Sequence, residues 1–144
     1  ARLSCEIEVK SLSFPIKIAG KVDRIEERNG TIRIIDYKTG KVLGNSLKIN
    51  DFNDLTSDIK NEKIIQLLCY ALMFENHELK QNREVSAGII SFKNMKSGFL
   101  PFGLGKGKDS ELAISSEILE DFKSELETLI LEIFNSEIPF KEKV

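Results

Sequence analysis

Apolar residues recur in three separate runs through the first forty positions. Ser4–Ser11, Phe14–Glu27 and Thr31–Thr39 are predicted strands, because β-branched and apolar residues recur there at a spacing of two. Asn29-Gly30 separates the second run from the third. A two-residue type I′ turn needs φ > 0 at both central positions, so Asn-Gly between two such runs predicts a tight hairpin. The paired runs are apolar on both faces. Ile25, Ile32 and Ile34 share one face, while Ile18, Val22, Ile35 and Tyr37 lie on the other. Strands of this kind are usually covered on both sides. The pattern therefore predicts a central sheet with helices rather than a sandwich open to water.

The apolar period then changes to that of a helix. Ser57 or Asp58 is placed to cap a helix running to about Asn76, with Ile64, Leu67, Leu68, Ala71 and Phe74 as its buried stripe. Gln66, Tyr70 and Lys63 fall on a neighbouring face of it. Glu84–Phe92 is a predicted strand, with Val85, Ala87, Ile89 and Ile90 as its apolar residues. Ser116 to Ser136 is a second amphipathic helix, with Ile118, Phe122, Leu126, Leu129, Ile130 and Ile133 facing the core. Two stretches read as loops. Lys41–Thr56, with Gly44, Asn45, Asn50 and Asn53, is long enough to be functional or mobile. Lys93–Asp109 is rich in glycine and lysine, with Gly98–Phe102 as a short strand. Its GlyLysGlyLys run at 105–108 reads as a solvated loop, with phosphate contact as the alternative.

Composition sets bounds on this picture. With 144 residues, 41% of them hydrophobic and 31% charged, the chain is expected to form one domain with its own core. A net charge of −2 argues against coating nucleic acid through bulk charge, but not against gripping a few phosphates locally. No apolar run approaches the ~20 residues of a membrane span, and no signal peptide is visible. Cys5 and Cys69 have no metal-type spacing, so free thiols in a reducing, cytoplasmic setting are expected. The chain opens almost directly into a strand without an initial Met, which suggests a piece excised from a longer protein.

The hairpin register supplies the chemistry. If Arg28 pairs with Thr31, Asp23 faces Asp36 and Lys21 faces Lys38. Asp23, Asp36 and Lys38 then share one face, with two carboxylates directly opposed at a Cβ separation of ~4.5–5.5 Å. Two full charges at that distance repel by roughly 3 kcal/mol at an effective dielectric near 20. A shared proton or a bound cation relieves the repulsion, and carboxylate oxygens are hard ligands suited to Mg²⁺ or Mn²⁺. A charged strand face with no further role is the plain alternative.

Gly20-x-x-Asp23 on one strand, Asp36-Tyr37-Lys38-Thr39-Gly40 on the next and Gln66-x-x-x-Tyr70 on a helix together resemble the PD-(D/E)XK nuclease superfamily. The nearest resemblance is to its RecB/AddB-type nuclease domains. It covers about Phe14 to Phe74, with Ile138-Pro139-Phe140 a weaker echo of the family's tail. The resemblance implies an α/β fold with a restriction-endonuclease-like central mixed sheet flanked by helices. It also implies magnesium-dependent hydrolysis of DNA phosphodiesters, in DNA repair or recombination, with a helicase subunit or domain as a candidate partner. Asp23, Asp36 and the Tyr37 carbonyl would hold Mg²⁺ or Mn²⁺. Lys38, Gln66 and Tyr70 would complete the catalytic set.

The sequence departs from that pattern in two places. The family's upstream helix with a metal-binding histidine has no counterpart, since His77, expected at the surface, ends the wrong helix. The C-terminal cysteines that hold an iron–sulfur cluster in some relatives are also missing, so no cluster is expected. The chain is thus expected to be most of a catalytic core without its N-terminal helical part. Two rival readings are a nuclease-like module that binds DNA or serves as a scaffold without cutting, and a small-molecule metalloenzyme on another α/β fold.

Overall fold

A computed structural model describes residues 2–9, 12–52, 55, 61–105 and 110–135, with side chains through Leu131. In chain order the strands are β1 (Arg2–Ile7), β2 (Ile16–Lys21), β3 (Arg24–Arg28), β4 (Thr31–Lys38), β5 (Lys48–Ile49), β6 (Glu84–Ser91), β7 (Phe99–Pro101) and β8 (Gly103–Leu104). Helix α1 (Glu62–Phe74) precedes β6, and α2 (Ser116–Asn135) follows β8.

The Asn-Gly turn forms, with Asn29 at φ 54° and Gly30 at φ 83°. It sets the register Arg28↔Thr31 through Arg24↔Ile35. The central sheet has the order β3-β4-β6-β7. Strands β4 and β6 are parallel, and the other neighbours are antiparallel. A parallel pair needs a crossover, which α1 supplies. Ile64, Leu67, Leu68, Ala71 and Phe74 of α1 are buried in one cluster with Ile32, Ile34, Val85, Ala87 and Ile89 of the sheet. Ile118, Phe122, Leu126 and Ile130 of α2 join the same core. The result is a mixed sheet flanked by helices.

Several expectations need correction. The run from Phe14 to Glu27 is two strands, because the chain leaves the central sheet at Val22–Asp23 and β2 pairs with β1 instead. Lys21 therefore lies opposite Arg2 rather than Lys38. Helix α1 is described from Glu62, while Ser57 and Asp58 lie outside the described residues. The stretch after Lys41 is docked rather than loose. Val42, Leu47, Ile49, Phe52 and Leu55 are buried, and β5 pairs in parallel with β8. His77 packs as well: its ring stacks on Phe74 at 4.9 Å, and its Nδ1 accepts from the Leu79 N–H. Asn53, Thr56, residues 106–109 and the Ile138-Pro139-Phe140 segment lie outside the described residues, and Ile133 is described only in its backbone.

Candidate active site

The break between β2 and β3 shapes the site. In the observed register the Tyr37 N–H points to the β3 edge, where the next ladder acceptor would be a backbone carbonyl. The Asp23 side chain takes that place, its Oδ2 accepting from Tyr37 N at 2.8 Å. Ladder pairing stops at Arg24↔Ile35, so Asp23 and Asp36 are not a regular cross-strand pair. Their carboxylates are nevertheless adjacent, because Asp23 is bonded to the residue that follows Asp36. Within a strand the N–H and C=O of one residue leave on the same edge, so the Tyr37 carbonyl shares the edge with Asp23.

Asp36 is buried, with 6% of its surface exposed, whereas Asp23 is exposed. Asp36 lies on the face of β4 that α1 covers, one residue pair beyond Ile34. Burial pushes its pKa above the usual carboxylate range. The Lys38 ammonium works against that rise, and the Asp23 carboxyl adds to it. Lys38 Nζ lies 2.9 Å from Asp36 Oδ2. Oδ2 is buried and meets the ammonium as an ion pair, with no further hydrogen-bond donor among the described residues.

Helix α1 completes the arrangement. Lys38 Nζ donates to Gln66 Oε1 at 2.9 Å, and Gln66 Nε2 donates to the Tyr70 hydroxyl at 3.0 Å. A lysine ammonium has only donors, so the amide orientation of Gln66 is set by its partner. Tyr70 is buried, and burial followed by the Asp36 charge raises its pKa. Gly20 of β2 makes room for it: a Cβ there would stand 3.3 Å from the Tyr70 ring and from Met73 Cε. Asp23, Asp36, Lys38, Gln66 and Tyr70 thus form one connected group from the β2–β3 break, strand β4 and helix α1. Lys63, by contrast, is exposed and has no described link to it.

The family model of the PD-(D/E)XK nuclease superfamily matches residues 2–144. The chain belongs to this superfamily. No curated protein and no solved structure matches it. The superfamily assignment agrees with the mixed sheet and points to a hydrolase acting on nucleic acids. Among the described residues, no group of three or more His, Cys, Asp or Glu side chains converges as a metal site. Two adjacent carboxylates, one carrying a buried oxygen whose only partner among the described residues is the Lys38 ammonium, still fit a hard divalent cation that keeps part of its water shell. No described helix is long and apolar enough to cross a membrane.

Two residues of this superfamily member were not singled out in the sequence. Ser91, fully buried at the end of β6, donates through Oγ to the Gly40 carbonyl at 2.6 Å. Asn94 accepts from Val42 N–H at 3.2 Å and donates to the Val42 carbonyl at 3.0 Å. Together they tie the segment after Lys38 to the loop after β6. Their partners lie 51 and 52 residues away, so no local pattern announces them.

Proposed function

We propose that this chain is a metal-dependent DNA nuclease domain of RecB/AddB type, from a repair or recombination exonuclease that works beside a helicase. The observation that carries the reading is Lys38, set between Asp36 and Gln66 next to the Asp23–Asp36 carboxylate pair. Asp23, Asp36 and the Tyr37 carbonyl would hold Mg²⁺, or Mn²⁺ in its place. A divalent ion bound there supplies a Lewis acid for the scissile phosphate and lowers the pKa of water in the site.

The remaining roles belong to the chain. Asp36, the buried carboxylate of the pair, would serve in its ionised form as an anionic ligand. Lys38, a point charge with three donors, orients a water and stabilises the negative charge that develops on the phosphoryl oxygens. Gln66 fixes the direction of the lysine from the helix. Tyr70 fixes Gln66 in turn, its ring seated against Gly20.

The test is hydrolysis of linear DNA with Mg²⁺ or Mn²⁺, wild type beside Asp36→Asn and Lys38→Ala. Cutting by the wild type and its loss in both variants supports the reading. DNA binding without cutting in any divalent metal favours a silent scaffold module instead.

A further inference from the structure

We propose that the rim of the sheet beyond Lys38 is a stacking subsite for an unpaired base of a nucleic-acid strand, with Phe92 as its aromatic face. This deepens the nuclease reading and rests on it: the substrate becomes a single strand, or a duplex with an unpaired end.

Phe92 directly follows β6, and its N–H donates to the Lys38 carbonyl at 2.9 Å. Its ring stacks on Tyr37, with centroids 5.4 Å apart and planes 18° from parallel. Half of its surface, 52%, stays exposed. Tyr37 thus backs one side of a half-exposed ring that lies one backbone hydrogen bond from Lys38.

The surroundings say what would cover it. Of the six exposed large apolar residues among the described ones, Leu43, Phe92 and Met95 lie on the two loops that Asn94 joins through Val42. An exposed apolar residue alone is ordinary, whereas a group of them marks an interaction site. The same loops carry Lys41, Lys93 and Lys96, all exposed, and none forms an ion pair among the described residues. Neither 39–43 nor 92–98 contains an acidic residue, although the whole chain is net negative. Exposed lysines on the same joined loops as an exposed aromatic ring complement a polyanion that carries flat apolar groups. A single strand has that chemistry, because its phosphates sit beside bases whose faces are available. A duplex stacks those faces away. The clamps from Ser91 to Gly40 and from Asn94 to Val42 hold the platform in place before binding, which lowers the ordering cost.

The chain has no tryptophan, so Phe92→Trp creates a unique fluorophore at the subsite. The probes are an oligothymidylate and a blunt duplex of equal length, with calcium replacing magnesium. Trp emission should be quenched saturably by the oligothymidylate and hardly at all by the duplex. Phe92→Ala and Phe92→Leu should each weaken oligothymidylate binding about tenfold or more, while Phe92→Tyr retains it. Lys93→Gln with Lys96→Gln should lower the salt slope by about 0.7 per lysine. If Phe92→Leu binds the oligothymidylate as tightly as wild type, or if the oligomer binds without changing Trp emission, the subsite is refuted. Cleavage that persists without the stacking signal overturns this inference alone. A saturable stacking signal in a chain that cuts nothing in any divalent metal overturns the nuclease reading alone.

Discussion

Lys38 Nζ sits 2.9 Å from Asp36 Oδ2 and 2.9 Å from Gln66 Oε1, so one ammonium joins the central strand to the helix packed on it. The two contacts separate the lysine's electrostatic role from its placement.

Lys38→Ala should keep divalent-metal binding and lose turnover by a factor of ~10²–10³, as when one group stabilising transition-state charge is removed. Asp36→Asn should lose both. Calorimetric titration of Mn²⁺ beside a DNA hydrolysis assay separates the two outcomes. Equal metal affinity in wild type and Asp36→Asn would contradict the assignment of Asp36 as ligand.

Gln66 accepts from Lys38 and, in the proposed mechanism, would act through it, so Gln66→Ala should leave metal affinity unchanged and lower kcat by roughly tenfold, the worth of about one hydrogen bond to a charged group. KM should move little. Gln66→Glu keeps an acceptor for Lys38, and should recover more activity than Gln66→Ala. A drop in kcat accompanied by an equal drop in Mn²⁺ affinity would show that Gln66 supports the carboxylates instead.

The raised pKa of Asp36 gives the metal-free protein a distinct pH dependence. A carboxyl whose folded pKa lies above its unfolded one binds more protons in the native state. Its contribution to stability therefore falls as pH rises from the unfolded value of about 3.8 through the folded one. Urea unfolding of wild type and Asp36→Asn across that range, without divalent metal, should show wild type losing stability relative to the variant as pH increases. A difference that stays flat would mean that Asp36 is not held in the environment described.

Divalent metal should reverse that loss. Binding to the folded chain stabilises it by RT ln(1 + [L]/Kd), about 2.7 kcal/mol at a hundred times Kd, which corresponds to a rise of several degrees in Tm. Millimolar Mn²⁺ should raise the Tm of wild type and not that of Asp36→Asn. The same shift in both proteins would indicate general ion effects.

Cys5 and Cys69 are free thiols in the structure. Burial, followed by the neighbouring Cys5, pushes Cys69 up to about 11. Cys69 should resist iodoacetamide at pH 8 in the native protein and react on unfolding, as mass spectrometry of peptides would reveal. The purified chain should be colourless; iron and sulfide in a brown preparation would contradict the expectation of no cluster.

The sequence by itself determined the hairpin and its register, because Asn29 and Gly30 favour the turn locally and strand periodicity carries its parity along both strands. It also determined the buried stripe of α1 and the order of Asp23, Asp36, Lys38, Gln66 and Tyr70, since spacing along one element needs no partner to be read. Tertiary structure alone decided where the hairpin ends. The exchange at Val22–Asp23 depends on β1 competing for β2, and on the Asp23 side chain replacing a backbone acceptor for Tyr37 N–H. It alone decided that the segment after Lys41 is anchored, because β5 needs β8 and Val42 needs Asn94, more than fifty residues later. The reason is physical: turns and amphipathic faces are properties of neighbouring residues, whereas a strand's choice of partner and a buried polar clamp depend on groups that folding alone brings together.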